Sequence, residues 1–377
     1  MRTDVVVVGA GLSGLCAAAL LTRLGVRCVV LEARDRIGGR IYSVPSGAGG
    51  AESARYDLGP AWFWPDIQPR MRQWVDELGL SVFRQHADGA VLVERLGSQP
   101  AQKYERGFVT EPPSMRLAGG MQSLVEAVAA RLPQGCVQCG VRVSRIGFSD
   151  MGLVGVEATG GGTGNLTIKA DRVILALPPR LVAGHIGFFP ALPSSLRNAL
   201  EVVPTWMAGQ AKVLVVYESP FWREQGLSGT VSSFVGPLEE LHDASVPDGL
   251  PALFGFVGLP AGARKAMGLE TLKQSTLAQL ARLFGPQAAQ PVGIYIADWA
   301  MDPDTAMPAD CEPPSGHPAY GPLPELAGSW AGRLIFAGTE VATEQGGYME
   351  GAIEAAAAAV EKLTGATSAT RVWNPGF

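Results

Sequence analysis

The sequence predicts an α/β protein in which a Rossmann-like nucleotide-binding domain is joined to a second domain with a mixed sheet. The chain opens with an apolar strand, a glycine-rich turn and an Ala/Leu-rich helix, the pattern of a nucleotide-binding βαβ unit. Its 377 residues are too many for one compact core and indicate two domains. We predict further apolar strands at residues 207–217, 229–235, 252–259 and 292–299, interrupted by an amphipathic helix at Leu269–Phe284. The segment TGGGTG at residues 159–164 is predicted to be a hairpin tip between two strands.

Composition and charge favour a cytoplasmic enzyme that acts on a small molecule. The net charge of −5 and the absence of basic runs argue against nucleic acid and anionic membrane as partners. We expect no membrane span, because no apolar run reaches about 18 residues. We expect no signal peptide, because the first strand begins at Asp4. Five scattered cysteines suit a reducing cytoplasm better than a disulfide framework.

The glycine-rich turn has the spacing that binds the pyrophosphate of a dinucleotide. Residues 5–8 form a continuous apolar run, as expected for a parallel strand buried on both faces, and Gly9, Gly11 and Gly14 follow in G-x-G-x-x-G spacing. The first glycine permits the tight turn, the second lets the pyrophosphate approach, and the third allows close packing of the helix. The helix N-terminus then directs its positive dipole at the phosphates.

A second strand and a second glycine turn extend this signature. The strand RCVVLE ends in Glu32, eighteen residues after Gly14, at the acidic position that hydrogen-bonds ribose hydroxyls and disfavours a 2′-phosphate. Gly38, Gly39 and Arg40 come next. A second phosphate-facing turn with a bidentate cation suits a longer cofactor that stays bound.

At these residues the sequence resembles the flavin-containing amine oxidases, the monoamine oxidase-like group of FAD enzymes. In that family the run VVLEARDRIGGR is a signature of the FAD-binding, Rossmann-like domain of glutathione reductase type. The resemblance implies FAD as the cofactor. The residues of this half that it implies as FAD contacts are Gly9, Gly11, Ser13, Gly14, Glu32, Ala33, Arg34, Gly39 and Arg40.

The resemblance continues along most of the chain. The segment YDLGPAWFWP resembles the family's segment beside the isoalloxazine, with Pro60 at the family's second glycine and Trp64 where a small residue is usual. GVRVSRI resembles the strand that meets the adenine end, and RLIFAGTEVATEQGGYMEGAIEAA resembles the C-terminal flavin signature. In the latter, a helix N-terminus would stabilise negative charge on the flavin. Further FAD contacts implied in this way are Gly59, Ala61, Trp62, Val143, Gly338, Glu340 and Met349.

A lysine stands at the entrance of the apolar strand in AKVLVVYESPFW. On its pattern alone, Lys212 is a strand-edge lysine that reaches to water along its aliphatic stem. The resemblance implies another role, since the family has a lysine in this register that holds a water against flavin N5. Desolvation beside a ring would lower the pKa of such a lysine, which suits proton handling and activation of oxygen.

Three further residues are expected beside the flavin. The resemblance makes Tyr348 one half of an aromatic cage that orients the amine nitrogen, and it places Trp299 near the flavin ring. Alignment of GHPAYGP puts His317 at the second cage position, whereas a shift of a few residues would put Tyr320 there.

The cysteines indicate neither a covalent flavin nor a metal. Cys311 lies in the region where some family members attach FAD, but in register the attachment position falls at Gly316, so we expect FAD to be non-covalent. Cys136 and Cys139 have metal-like spacing but no second pair of ligands, and no metal site is expected.

The two predicted domains are interleaved along the chain. We assign residues 1–66, 117–200 and 315–377 to a discontinuous FAD-binding domain, and residues 67–116 and 201–314 to the substrate domain. The family places a long helical substrate lobe where this chain has only thirty-six residues, 81–116. We therefore expect a short member of the family, with a site that is more open or is completed by the second subunit of a homodimer.

The predicted reaction is FAD-dependent oxidation of an amine C–N bond to an imine. Molecular oxygen would be the electron acceptor and hydrogen peroxide the product. Two alternatives follow from the same sequence: a flavin desaturase or oxidase that acts on C–C bonds, and an FAD-bearing accessory protein with little turnover.

Overall fold

The computed structural model describes residues 1–46, 54–97, 100–105, 111–148, 152–160, 164–312, 314 and 316–365. Its helices are α1 (Leu12–Arg23), α2 (Pro69–Glu77), α3 (Gln122–Ala129), α4 (Pro179–His185), α5 (Ser194–Val202), α6 (Phe221–Glu224), α7 (Ala261–Met267), α8 (Leu269–Phe284) and α9 (Met349–Thr364). Short 3₁₀ turns lie at Pro286–Ala289, Trp299–Met301, Pro308–Cys311, Gly328–Trp330 and Thr339–Val341.

The strands of the described residues form two large sheets and two small ones. In chain order they are β1 (Arg2–Val8), β2 (Cys28–Leu31), β3 (Ser43–Pro45), β4 (Arg55–Asp57), β5 (Val82–Arg84), β6 (Ala90–Glu94), β7 (Gln102–Tyr104), β8 (Met115–Leu117), β9 (Val137–Gln138), β10 (Val141–Phe148), β11 (Val154–Gly160), β12 (Asn165–Leu175), β13 (Gly187–Phe189), β14 (Ala211–Val216), β15 (Leu227–Ser233), β16 (Leu238–Asp243), β17 (Ala252–Val257), β18 (Gly293–Asp298) and β19 (Leu334–Phe336).

The first sheet is the predicted Rossmann-like unit. Its order is β13-β10-β11-β12-β1-β2-β9, with β19 beside β12, and β1 runs parallel to both β2 and β12. Side chains of β1 alternate between two buried clusters: Val5 and Val7 pack with α1, α3 and α9, whereas Val6 and Val8 pack with α4 and α5. The uninterrupted apolar run at the start of the chain therefore reflects a strand covered on both faces, and the predicted α/β class is confirmed.

The second sheet has the order β18-β14-β17-β16-β15-β6-β7. Within β14, Val213 and Val215 pack in a cluster that includes α8, whereas Leu214 and Val216 face Tyr56 and the β3–β4 hairpin. Because side chains alternate along a strand, Lys212 shares the face of Leu214. This register directs the lysine toward the segment that follows β4.

Most predicted elements of the second sheet are observed, with shorter bounds in places. Helix α8 has the predicted bounds, but the strand expected at residues 207–217 begins only at Ala211. The reason is local: Met207 has a φ of 61° and lies in a turn in which Gln210 N–H donates to Met207 O at 3.1 Å. The hairpin tip predicted at residues 159–164 joins β11 to β12, and its residues 161–163 lie outside the described ones.

The distribution of strands between the sheets bears on the predicted domain limits, which stay a prediction. Strands β6 and β7, from within residues 67–116, belong to the second sheet. Helix α2 comes from the same stretch, yet its Met71 and Trp74 pack in the cluster formed by α1 and α9. No helix within the described ranges is long and apolar enough to cross a membrane.

Asp243 holds a buried polar junction in the second sheet, and we expect Asp243→Ala to destabilise the protein. Its carboxylate accepts hydrogen bonds from Trp222 Nε1 at 2.8 Å, from Arg223 Nε at 2.7 Å and from Ser245 N at 2.8 Å. Removing it leaves buried donors unpaired, so the free energy of unfolding should fall by about 3 kcal/mol in urea titration.

Glu201→Ala is the matched control, because Glu201 forms an exposed i,i+4 pair with Arg197. That variant should stay within about 0.5 kcal/mol of the parent protein. Equal effects of the two substitutions would contradict the importance of the Asp243 junction.

Candidate active site

A cavity of about 420 Å³ lies where the two sheets meet. Its lining includes the residues at or just after the carboxyl ends of β1, β2, β12 and β19, and the first residues of β14. In parallel α/β sheets, ligands bind at this edge of the sheet. The cavity is therefore the candidate active site.

The first glycine turn forms a cradle in which two glycines have different tasks. A methyl group at Gly14 would lie 1.9 Å from Gly9 O, so only glycine allows α1 to pack on the turn. A methyl group at Gly11 would have no neighbour nearer than Gly38 O at 4.0 Å, and Gly11 lines the cavity. The space above Gly11 thus suits a phosphate group next to the N-terminus of α1.

The second glycine turn is tied to the first. Gly38 N–H donates to Ala10 O at 2.8 Å. Glu32 is buried at the end of β2, where its carboxylate accepts hydrogen bonds from Ala10 N at 2.7 Å and Arg34 N at 3.0 Å. It lines the cavity, so its remaining lone pairs are available to ribose hydroxyls.

Arg40 brings a cation into the same cavity. Its Nη1 lies 2.7 Å from Glu340 Oε1 and donates to Trp206 O at 3.3 Å. Glu340 is fully buried and does not line the cavity, which makes it a partner that orients the guanidinium. Ser13 lines the cavity, and its hydroxyl donates to Ala337 O.

The far end of the cavity is polar and is held together by ion pairs. Arg34 Nη2 donates to Asp302 Oδ2 at 2.6 Å and to Thr305 Oγ1 at 2.8 Å. Val143 lines this end beside a bidentate pair between Arg142 and Asp304, whose two N···O distances are 2.5 and 2.9 Å. Two glycine turns, an acid for ribose, a cation and a long cavity together fit FAD.

Lys212 enters the opposite part of the cavity as a buried amine. Only 3% of its surface is exposed, and its Nζ donates to Gly59 O at 3.0 Å and lies 3.9 Å from the ring centroid of Phe254. Burial lowers the pKa of Lys212 to about 7, with Asp57 opposing this shift and Arg116 adding to it. Near neutral pH the lysine is therefore able both to hold and to give up a proton.

The segment after β4, whose Gly59 carbonyl accepts the hydrogen bond from Lys212, is held in place by hydrogen bonds to α3 and to Trp299. Asp57 Oδ1 accepts hydrogen bonds from Met121 N at 2.8 Å and Ser43 Oγ at 2.6 Å, and Trp299 Nε1 donates to Leu58 O at 3.2 Å. Trp299 lines the cavity, as do Gly59, Ala61 and Trp62 from this segment.

Tyr348 and His317 do not form an open cage. Their rings stack at a centroid distance of 4.9 Å with an angle of 9° between the planes. An amine held between two rings needs two van der Waals separations, about 7 Å in total. His317 packs between Tyr348 and Trp206 instead, and Tyr348 remains 39% exposed and lines the cavity.

The glycines before Tyr348 explain this closed stack. A methyl group at Gly346 would lie 2.4 Å from Tyr320 Cβ, and one at Gly347 would lie 3.1 Å from His317 Nε2. Tyr320 occupies the space beside Gly346 and donates its hydroxyl to Pro204 O at 2.9 Å. Tyr320, the alternative cage residue, thus supports the stack from outside the lining.

The structure brings most of the predicted site residues to one cavity. Gly14, Glu340 and His317 do not line it and act only through the neighbours described above. The roles predicted for individual residues stay predictions. Those that line the cavity are Gly9, Gly11, Ser13, Glu32, Ala33, Arg34, Gly39, Arg40, Gly59, Ala61, Trp62, Val143, Lys212, Trp299, Gly338, Tyr348 and Met349.

Sequence reasoning missed several lining residues. Phe256 is opposite Lys212 in the β14–β17 pairing, a register that only the sheet reveals. Met207 and Gln210 lie within five residues of Lys212, so their proximity to it was a usable signal. The main lining residues not predicted are Gln68, Trp206, Met207, Gln210, Phe256 and Thr305.

Two family profiles match the chain. The profile described as flavin containing amine oxidoreductase matches residues 89–364, which is more than half of the chain. The profile of the NAD(P)-binding Rossmann-like domain matches residues 7–78, which include the first glycine turn and Glu32.

Individual relatives match over nearly the whole chain. It is similar to putrescine oxidase from Kocuria rosea, at 26% identity over 98% of this chain and 97% of the relative. It is similar to flavin-containing amine oxidase A from Sus scrofa, at 27% identity over 96% of this chain and 85% of the relative. The solved structure of wild-type putrescine oxidase bound to putrescine shares the fold, with a TM-score of 0.75, 23% identity and coverage of 97% of this chain and 100% of that one.

The alignment with the Kocuria protein also shows that this chain is short. It extends over 483 positions, whereas this chain has 377 residues. The relative therefore carries segments that this chain lacks, in agreement with the short stretch expected in place of a helical lobe.

Burial of Lys212 makes stability depend on pH. The pKa is lowered from its ordinary 10.5 to about 7 in the folded protein, so between these values the unfolded state binds more protons. Stability relative to Lys212→Met should therefore rise by about 1.4 kcal/mol per pH unit from pH 7 to pH 10. Urea titrations of both holoproteins at several pH values measure this slope, and Lys169→Met, at an exposed lysine, is the control. If the difference in unfolding free energy between the parent protein and Lys212→Met did not change with pH, Lys212 would not be buried as an amine.

The two glycines of the cradle should respond differently to alanine. Gly14→Ala forces a methyl group against Gly9 O and should lower stability by several kcal/mol even without FAD. Gly11→Ala places its methyl group in the cavity, so it should leave the stability of the apoprotein unchanged but weaken FAD binding at least about tenfold. Thermal melts and titration with FAD measure the two effects, and unaltered FAD affinity in Gly11→Ala would place the pyrophosphate elsewhere.

Proposed function

This chain belongs to the flavin containing amine oxidoreductase family and catalyses FAD-dependent amine oxidation; from that premise we propose that its substrate is a monoamine with an apolar or aromatic tail and that its electron acceptor is molecular oxygen. The observation that carries this proposal is an aromatic cavity wall without a free carboxylate. Family membership favours this function over oxidation of C–C bonds and over an accessory role.

The overall reaction balances with three reactants, which are the amine, oxygen and water. A primary amine and oxygen give an imine and hydrogen peroxide, and water then converts the imine to an aldehyde and ammonia. When bound, FAD supplies the two-electron acceptor for the C–N bond. The chain's own residues bind FAD and the amine, exclude water and hold a proton at Lys212 Nζ.

The wall around Lys212 and Tyr348 is apolar and aromatic. It would bury a hydrocarbon or aryl tail favourably. The amide of Gln68 is held in place by two hydrogen bonds, one accepted from Trp64 N and one donated to Gln345 Oε1. The aromatic residues of this wall are Trp62, Trp64, Trp206, Phe256 and Trp299.

No carboxylate of the described lining is available to a second ammonium group. The lining contains two acidic residues, Glu32 and Asp304. Glu32 accepts two backbone hydrogen bonds at the nucleotide cradle, and Asp304 forms the bidentate pair with Arg142. A diamine such as putrescine would thus bury an unpaired charge, which costs several kcal/mol.

Lys212 supports oxygen as the acceptor. An amine group with a pKa near 7 can place a positive charge where oxygen gains electrons, and it can hold the proton that peroxide needs. Its hydrogen bond to Gly59 O fixes the position of Nζ. Lys212 is thus the residue on which we expect reaction with oxygen to depend.

Two further features accompany this proposal. Cys311 does not line the cavity, which supports non-covalent FAD. All five cysteines are free thiols, which supports a reducing cytoplasm as the site of action. Assembly as a homodimer stays a prediction from the short stretch at residues 81–116.

A matched pair of amines tests the substrate class. Butylamine and putrescine differ by one amino group, and benzylamine adds an aromatic tail. In anaerobic stopped-flow mixing we expect butylamine and benzylamine to bleach the bound flavin, with the ratio of reduction rate constant to dissociation constant about 10²-fold lower for putrescine than for butylamine. Faster bleaching by putrescine would overturn the substrate class, and no bleaching by any amine would overturn amine oxidation itself.

The same experiment with Lys212→Met separates the two halves of the reaction. The variant should keep its FAD and its anaerobic bleaching by amine. Its reoxidation by oxygen should be slower by about 10²-fold, because the proton and charge at Nζ are lost. Lys169→Met should behave as the parent protein, and unchanged reoxidation in Lys212→Met would leave the lysine with a purely structural role.

A further inference from the structure

Two cysteine sulfurs lie in contact at the start of β2, the strand that ends at the nucleotide cradle. Cys28 begins β2, and Cys136 immediately precedes β9, which pairs with β2. Their Sγ atoms are 3.9 Å apart, and Cys136 Sγ is also 3.4 Å from Cys28 O. The sulfurs are therefore within a short rotamer movement of bonding distance, about 2 Å.

The pair differs from the other cysteines of the chain. Cys16 is buried in apolar surroundings, which raises the pKa of its thiol. Cys139 and Cys311 have no sulfur neighbour among the described residues. Within the described part of the chain, Cys28 and Cys136 are thus the one pair of cysteines placed closely enough to form a disulfide.

The two thiols differ in exposure: Cys28 is partly exposed, whereas Cys136 is buried. Each sulfur also lies near a backbone carbonyl, with Cys28 Sγ 3.8 Å from Ala18 O and Cys136 Sγ 3.4 Å from Cys28 O. The pair is thus held in place by its surroundings and is open to solvent on the side of Cys28.

We propose that Cys28 and Cys136 form a peroxide-oxidisable thiol pair that closes a reversible disulfide between β2 and the segment leading into β9. The inference rests on the proposed function only for its source of oxidant, since the hydrogen peroxide would come from the enzyme's own turnover.

The chemistry balances in two steps. The sulfur of one cysteine attacks one oxygen of hydrogen peroxide, the O–O bond breaks, and a sulfenic acid and water form. The sulfur of the other cysteine then attacks the oxidised sulfur, the S–O bond breaks, and the disulfide and a second water form. Both sulfurs are oxidised, peroxide is reduced, and the two thiol protons leave in the two waters.

The location connects the pair to the cofactor site. Glu32, four residues after Cys28, donates its backbone N–H to Gln138 O at 2.9 Å, and Val30 N–H donates to Cys136 O at 2.8 Å. In the described sheet β9 is the terminal strand beside β2. A crosslink here would therefore tie this edge to the strand that presents Glu32 to the cofactor.

Thiol counting on the holoenzyme tests the proposal. After added hydrogen peroxide and denaturation, free thiols should fall from five to three, the mass should fall by two hydrogen atoms, and peptide mapping should show a Cys28–Cys136 link. Dithiothreitol should restore all five. Neither Cys28→Ser nor Cys136→Ser should form the crosslink, because each variant lacks one of the two sulfurs. Cys139→Ser, the matched control, should form the crosslink as the parent does.

A second arm separates this inference from the proposed function. The holoenzyme is given amine and oxygen, with and without catalase, and peroxide release is measured in parallel. Crosslinking under turnover that catalase abolishes supports both proposals. Crosslinking by added peroxide in an enzyme that releases none supports the thiol site and overturns oxygen as the acceptor. Five free thiols after added peroxide, or a link between other cysteines, overturns the thiol pair.

Discussion

The hydrogen bond from Lys212 Nζ to Gly59 O is the contact on which the shape of the site depends, because it ties the second sheet to the segment after β4 that lines the cavity. The lysine comes from β14 of the second sheet. The carbonyl belongs to the segment after β4, which Asp57 fixes to the N-terminus of α3 and Trp299 fixes from the other side. One buried amine thus helps to set the position of the cavity wall.

The aromatic wall opposite the nucleotide cradle is the feature on which the proposed substrate class rests. Relatives of similar sequence include a putrescine oxidase and a flavin-containing amine oxidase A, so family membership alone does not identify the amine. In our proposal selection follows from charge, because the carboxylates of the described lining are engaged at the nucleotide end and the remaining surface favours apolar groups. The stack of Tyr348 on His317 adds a second constraint, because it leaves the outer face of the tyrosine as the surface that an amine can approach.

Local sequence patterns were sufficient to predict the elements whose conformation depends on neighbouring residues in the chain. The spacing of Gly9, Gly11 and Gly14 predicted the cradle because it reflects how α1 packs on the turn, where a methyl group at Gly14 would meet Gly9 O. The apolar period of Leu269–Phe284 predicted α8 with its observed bounds for a similar reason. The strand predicted from residue 207 was too long, because the left-handed turn at Met207 interrupts a run that composition alone continues.

The sequence by itself predicted the fold class and, through the family resemblance of its motifs, the cofactor, because those motifs are contiguous segments whose chemistry is local; the role of Lys212 stays a prediction. Only the tertiary structure decided that His317 stacks on Tyr348, that Phe256 lies opposite Lys212, and that Cys28 and Cys136 touch. These contacts join residues far apart in the chain, and their distances are set by how sheets and loops pack. That packing depends on many weak contacts at once, which no short stretch of sequence encodes.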